Sequence, residues 1–336
     1  MRPIRKLANA FPAMAVVVCL VLVSVACQTV SAQTAGGSGN AIRVSPVRTD
    51  LVINPGDTRQ LTVSVTNLTS SQAEYQAIIN DFVAANGENG EPALILDADK
   101  FAPSHSLKRF IAPISNVVVG AGQTKEIKVT ITVPKTAAGG GYFGAVRFAS
   151  AGGNDPTKNV TLAASVGSLV LVKVPGDVVE SVKLESIDVR SGKDAANGNS
   201  VFTSNKNLYA VARFKNTGNV HEQPFGKIIV KKGSKLLQTT EINNTDPKGN
   251  VLPDSVRRFS IKLDKIGTFG KYTVEGNFGY GTNGQLLSGK TSFFVVPVVL
   301  IVVALVVLAL LILAAVGLPK MIKRYNAGVV RRANRR

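Results

Sequence analysis

Gly284, Gly289, Lys290 and Thr291 stand at the spacing G-x-x-x-x-G-K-S/T, the pattern of a phosphate-binding loop, and a strand-like segment precedes them. Such a loop needs a helix that begins at the lysine, so that its first N–H groups face the phosphates. Here the chain after Thr291 leads straight into an uncharged apolar stretch, and a β-turn followed by a last strand is expected instead. Gly139, Gly141 and Gly144 fit G-x-G-x-x-G, but residues 142–149 are patterned as a strand and not as the helix of a dinucleotide fold. A tight loop between strands is expected there.

The remaining reactive side chains are sparse. His105 and His221 are the two histidines, neither has a second histidine at zinc spacing, and His221-Glu222 lacks the H-E-x-x-H frame. Ser104 and Ser106 flank His105, but neighbours along a chain do not make a catalytic triad. Asp97 and Asp99 have no further acids at EF-hand spacing and read as surface carboxylates. Both cysteines, Cys19 and Cys27, fall in the leader described next, so the mature chain has no thiol nucleophile unless Cys27 is retained. No catalytic residue, metal or cofactor is expected.

The elements that would carry a binding site are framed by two apolar segments. Arg2, Arg5 and Lys6 precede an uncharged run over residues 13–26, the charge order of a secretory signal peptide. Residues 1–32 are read as that signal, with cleavage before Gln33; lipidation of Cys27 is the alternative, weakened by Ser24 where such sites usually carry leucine. Residues 33–40 form a small polar linker. No residue from 293 to 318 is charged, and about 20 apolar residues cross a bilayer as a helix, so one transmembrane helix is expected over 295–318. Seven basic residues and no acid follow in 319–336, which makes that tail cytoplasmic and apposed to anionic inner-leaflet lipid rather than to nucleic acid.

Between the anchors the pattern has period two. Leu61, Val63 and Val65 alternate with Thr62 and Ser64, and Ile127, Val129, Ile131 and Val133 alternate with Lys128, Thr130 and Thr132. Both read as half-buried strands. Asn54-Pro55-Gly56-Asp57 supplies a turn, residues 97–106 suit one short helical turn, and Val174-Pro175-Gly176-Asp177 closes one domain before a fresh alternation begins. The expected fold is mainly β: two tandem immunoglobulin-like antiparallel β-sandwiches over 41–175 and 178–294, without the disulfide or buried tryptophan of antibody domains.

The chain has 39 basic and 21 acidic residues; with the three basic residues of the leader and the seven of the tail set aside, 29 face 21. That moderate positive excess suits an anionic wall or surface polymer. Ile42-Arg43-Val44-Ser45-Pro46, the Asn54 to Asp57 turn, V-S-V-T-N ending at Asn67, and Gly140-Gly141-Tyr142-Phe143-Gly144-Ala145-Val146-Arg147-Phe148 together resemble the peptidoglycan-binding domain of bacterial WxL-interacting surface proteins. Ala212-Arg213-Phe214-Lys215-Asn216-Thr217-Gly218-Asn219-Val220-His221 and Val251-Leu252-Pro253-Asp254-Ser255 look like the membrane-proximal module found with it. With no tryptophan, the chain is not itself a carrier of the WxL signature but resembles its anchored partner.

That resemblance implies a non-enzymatic cell-surface adhesin or scaffold in the cell membrane, its first domain contacting peptidoglycan or another surface protein. An accessory subunit of a membrane or secretion complex is the alternative. Tyr142, Phe143, Arg147 and Lys128 are the candidates for a ligand surface, although Tyr142, Phe143 and Phe148 read first as core or groove residues and only second as sugar platforms.

Overall fold

A two-residue period gives a strand one apolar row, and that row must be covered by another layer. In the computed structural model, which describes residues 42–151 and 165–333 with side chains through 323, such rows build two sandwiches. The expected leader, its cleavage site, Cys27 and the 33–40 linker lie outside the described residues, as do residues 334–336.

The first sandwich contains β1 (Ile42–Ser45), β2 (Arg48–Val52), β3 (Thr58–Asn67), β4 (Ala73–Ala84), β5 (Pro92–Leu94), β6 (Val117–Val119), β7 (Thr124–Thr132), β8 (Gly140–Ser150) and β9 (Ser165–Val174). One sheet has the order β1-β3-β7, and the other runs β2-β9-β8-β4-β5 with β6 also paired to β4. Leu61 lies opposite Val129 and Val63 opposite Ile127, all on the buried side, and Tyr75, Val146, Phe148, Val170 and Val172 meet them from the facing sheet. Each such side chain contributes about 1.5–3 kcal/mol on burial.

The second sandwich repeats the plan with β10 (Val182–Ser191), β11 (Val201–Phe202), β12 (Leu208–Asn216), β13 (Phe225–Lys232), β14 (Lys235–Ile242), β15 (Val256–Lys262), β16 (Gly270–Tyr280) and β17 (Gln285–Val295). A three-stranded sheet β10-β12-β15 faces a five-stranded one, β11-β17-β16-β13-β14. The Phe214 ring meets Phe278 edge-on at 4.9 Å in the core. In both sandwiches the middle strand of the three-stranded sheet ends in a fully buried asparagine. Asn67 donates to the Ser71 and Val119 carbonyls and accepts from Thr69 N and the Tyr75 hydroxyl. Asn216 donates to the Val220 and Val251 carbonyls and accepts from Gly218 N. A buried amide so fully partnered fixes the loops around it.

The mainly β fold of two immunoglobulin-like sandwiches is as expected, with three local differences. The β2–β9 and β11–β17 pairings are parallel. β2 follows β1 after two residues but joins the facing sheet instead of folding back as a hairpin, and there it lies along β9. A 3₁₀ turn lies at Lys108–Phe110 rather than within 97–106. Finally, α1 (Val298–Ala333) begins later and ends much later than 295–318. Val295 still pairs with Gly270 in the sheet, Pro297 accepts the first helical N–H from Leu300 at 2.9 Å, and Pro319 sits inside the helix without ending it. Its Val298–Lys323 portion is long and apolar enough to cross a membrane, and none of it is buried against protein.

Candidate functional site

Successive side chains of a strand point to opposite faces, and β8 divides its residues accordingly. Tyr142, Val146 and Phe148 face the first core. The Tyr142 ring packs against Phe110 at 4.8 Å, its hydroxyl donates to the Ala138 carbonyl at 3.0 Å, and burial pushes the hydroxyl pKa up. Phe143 points the other way and is buried, so it cannot serve as a surface platform: it packs with Phe82, Ala145 and Leu171, and with Leu252 of the second sandwich. Arg147 is half-buried on that same side, its Nε has no partner, and burial lowers its pKa. Lys128 is exposed on the outer face of the other sheet, opposite Thr62. The four sequence candidates therefore lie on three different faces and form no single site.

The phosphate-loop pattern dissolves in the same way. Gly289, Lys290 and Thr291 lie in mid-strand in β17, where Lys290 pairs with Glu275 at 3.1 Å in solvent. The strand continues past the lysine to Val295, so no helix begins there. No group of three or more potential metal ligands occurs among the described residues.

What β8 does build is the junction between the sandwiches. The Gly139 Cα hydrogen positions leave no room for a side chain: a Cβ there would lie 2.5 Å from Asp177 N. Gly218 is equally tight, with a Cβ falling 2.1 Å from the Val179 carbonyl oxygen. The close approach lets Asn219 clamp three segments at once. Its amide donates to the Gly139 and Asp177 carbonyls, its side-chain oxygen accepts from Val179 N, and its carbonyl accepts from Gly141 N at 2.7 Å. Beside it, His105 adopts a left-handed backbone, φ 62°, and its Nδ1 donates to the Gly141 carbonyl at 2.6 Å. That bond places a proton on Nδ1 and ties the ring to the β8 end of the junction.

Charged groups complete the junction. Arg48 pairs with Asp50 and donates to the Lys248 carbonyl, each at 2.7 Å. His221 lies edge-on to Phe143 at 5.7 Å, and burial drives its pKa down to about 4 against the pull of Asp50. Burial raises the Glu222 carboxyl to about 7, and the charge of Glu180 adds to the rise. Burial also works to raise Glu180, but hydrogen bonds from Lys173 and Thr282 outweigh it and hold that carboxyl at about 2. A cleft of about 400 Å³ opens alongside, between Phe82, His105 and Phe143 of the first sandwich and Leu252 to Val256 of the second.

A second concavity lies wholly in the first sandwich, along the segment that carries the 3₁₀ turn. Asp81, fully buried in β4, accepts the backbone N–H groups of Ala102 and Lys108 at 2.9 and 2.8 Å and so pins this segment to the sheet. The pinned segment presents Phe101 with the Lys108 ammonium 4.8 Å and the Arg109 guanidinium 4.7 Å from its ring centre. Ile79, Ile111 and Pro113 complete an open groove of about 490 Å³. None of this was visible in the sequence, where Lys108-Arg109-Phe110 carries no alternation to distinguish it from a solvated loop.

Residues 49–150 match the family described as WxL Interacting Protein, peptidoglycan binding domain, which is the resemblance noted from the sequence motifs. No curated protein matches the chain. Solved structures similar to it include the class 5 fimbriae chaperone CfaA, with 14% identity over 76% of this chain and 99% of that one and a TM-score of 0.36. The chaperone YadV is 12% identical over 75% of this chain and 100% of its own, TM-score 0.33, and the Pseudomonas aeruginosa chaperone CupB2 is 10% identical over 74% and 98%, TM-score 0.32. Likeness this distant says nothing of function.

Proposed function

We propose, from the match of residues 49–150 to a peptidoglycan-binding domain, that this chain is a cell-surface protein tied at one end to the wall and at the other to the membrane. The first sandwich holds peptidoglycan, the second acts as a spacer and as a surface for other surface proteins, and α1 spans the bilayer. The 26 residues of Val298–Lys323 make a helix of about 39 Å at 1.5 Å per residue, more than the roughly 30 Å hydrocarbon core requires. The basic residues beyond it favour the cytoplasmic side, which leaves both sandwiches outside. The matched domain is the observation that carries the wall-binding half of this reading; the bare, unburied apolar helix carries the other.

The function is one of binding. The Asn219 clamp and the ion pairs across the junction join the sandwiches into one arm, as a spacer under tension between wall and membrane requires. The test is sedimentation of the full-length protein in detergent with insoluble peptidoglycan. Retention that weakens with salt is expected; no retention above a control β-sandwich protein at low salt contradicts the reading.

A further inference from the structure

Three concave or charged surfaces compete for the wall polymer, and their chemistry separates them. One wall of the cleft between the sandwiches is residues 252–256, outside the matched domain, and of its two carboxylates Asp254 adds a negative charge while Glu88 is engaged by Arg213. Lys128 stands alone on a strand face without a concavity around it. The groove at Phe101 lies entirely within residues 49–150.

Its charge is unbalanced. Lys108 already donates to the Ala98 and Lys100 carbonyls, whereas Arg109 makes no hydrogen bond or ion pair among the described residues. No acid lines the groove; the nearby carboxylates are both engaged, Asp81 by the Ala102 and Lys108 N–H groups and Asp97 by Lys100 and the Asp99 N–H. A guanidinium held over an aromatic ring offers a planar fork that matches a carboxylate with two parallel hydrogen bonds. The floor beside it, Ile79, Ile111 and Pro113, has no free donor. An occupant must therefore bring an anion and an apolar group side by side, which a carboxylate-ended alanyl peptide does and a polyol phosphate chain does not.

We propose that the Phe101 groove is the contact for the stem peptides of peptidoglycan, with Arg109 taking a free carboxylate and Phe101, Ile79, Ile111 and Pro113 taking the adjoining alanyl methyl groups. This rests on the wall-binding reading and names its site. Asp81 is the positioning residue, since it fixes the backbone from which Phe101, Lys108 and Arg109 project.

The experiment measures binding isotherms of the full-length protein in detergent on insoluble peptidoglycan stripped of teichoic acid, and on unstripped wall. Loss of one bidentate charged contact predicts roughly tenfold weaker retention on stripped peptidoglycan for Arg109→Glu and for the near-isosteric Arg109→Gln, and a smaller loss for Phe101→Ala. Lys128→Glu binds as the unaltered protein does, and all four keep its melting temperature because the side chains are exposed. An acetylated Lys-D-Ala-D-Ala peptide competes, and its C-terminal amide does not. Unaltered retention of both Arg109 variants beside a retained parent protein overturns the groove while leaving the wall-binding reading intact, as does loss confined to Lys128→Glu. Retention only on unstripped wall assigns the anion to teichoic phosphate and overturns the stem-peptide assignment. No retention of the parent protein on either material overturns both.

Discussion

Glu88 and Arg213, 125 residues apart in the chain, meet as a two-bond ion pair across the junction, with the carboxylate accepting from Nε at 2.8 Å and from Nη2 at 2.5 Å. Glu88 stands at the tip of the β4–β5 loop with φ 55°, a left-handed conformation rare for a residue with a side chain, and its carbonyl also accepts from Arg258 N. The hydrogen bonds from Arg213 hold the Glu88 carboxyl below its ordinary range despite partial burial. A planar fork on a carboxylate fixes orientation as well as distance, so this pair sets the angle at which one sandwich meets the other.

Arg213→Ala and Glu88→Gln are therefore expected to loosen the junction more than either sandwich. A double-mutant cycle on thermal stability should return a coupling of about 1–3 kcal/mol. The depressed carboxyl makes the pair's contribution whole above the ordinary glutamate range and lost as pH falls through the lowered value. Additive single-mutant effects would mean that the pair does not couple the sandwiches.

Glu222 and His221, adjacent in the chain, pull the pH profile in opposite directions. Glu222 rises from 4.5 to about 7 on folding, so its contribution is whole below pH 4.5 and lost as pH climbs through 7. His221 falls from 6.5 to about 4, so its contribution is whole above pH 6.5 and lost as pH drops through 4. Between these limits the two slopes cancel and the junction is level. Glu222→Gln should convert the level stretch into stability rising with pH between 4.5 and 6.5, and His221→Gln into stability falling with pH. Melting profiles parallel to that of the unaltered protein would contradict both assignments.

Asp81 has its two carboxylate oxygens on the N–H groups of Ala102 and Lys108. Asp81→Ala orphans both in a buried place and should destabilise the first sandwich by about 2–4 kcal/mol. Asp81→Asn keeps one acceptor and should cost about half. Limited proteolysis reads the consequence directly, with new cleavage expected within residues 97–110; cleavage elsewhere in the sandwich first would contradict the pinning role.

The β7 register makes Val129 fully buried and Lys128 exposed. Val129→Asp places an unpaired carboxylate in the core and should cost about 3–5 kcal/mol, enough to unfold a marginal domain, whereas Lys128→Asp should stay within about 0.5 kcal/mol. Equal losses would put the strand in the wrong register.

The difference between those two substitutions was readable from the sequence because alternation is local: Leu61, Val63 and Val65 face the partners that Ile127 and Val129 require. Where the pattern weakens, so did the reading. β14, Lys235–Ile242, shows no clean alternation, since both of its faces are partly exposed. Phe143 and Tyr142 differ by one step along β8, and their opposite fates depend on a second sandwich covering one face. No local pattern encodes that cover. Glu88 finds Arg213, and Asp81 finds the N–H groups of Ala102 and Lys108, through tertiary contacts that residue types do not announce. The groove at Phe101 inherits this, because its shape follows from the Asp81 bonds and not from the sequence around the aromatic ring.

A protein attached to wall and membrane at once must carry lipid vesicles down with the wall. Full-length protein reconstituted into phosphatidylcholine vesicles, with the sandwiches outward, is mixed with insoluble peptidoglycan stripped of teichoic acid and spun at low speed, which pellets the wall and leaves free vesicles suspended. Vesicle lipid is expected in the pellet, released by Arg109→Glu and by removal of the sandwiches with protease. Vesicles that stay in the supernatant while the wall pellets, at low salt and with the sandwiches intact, would contradict it.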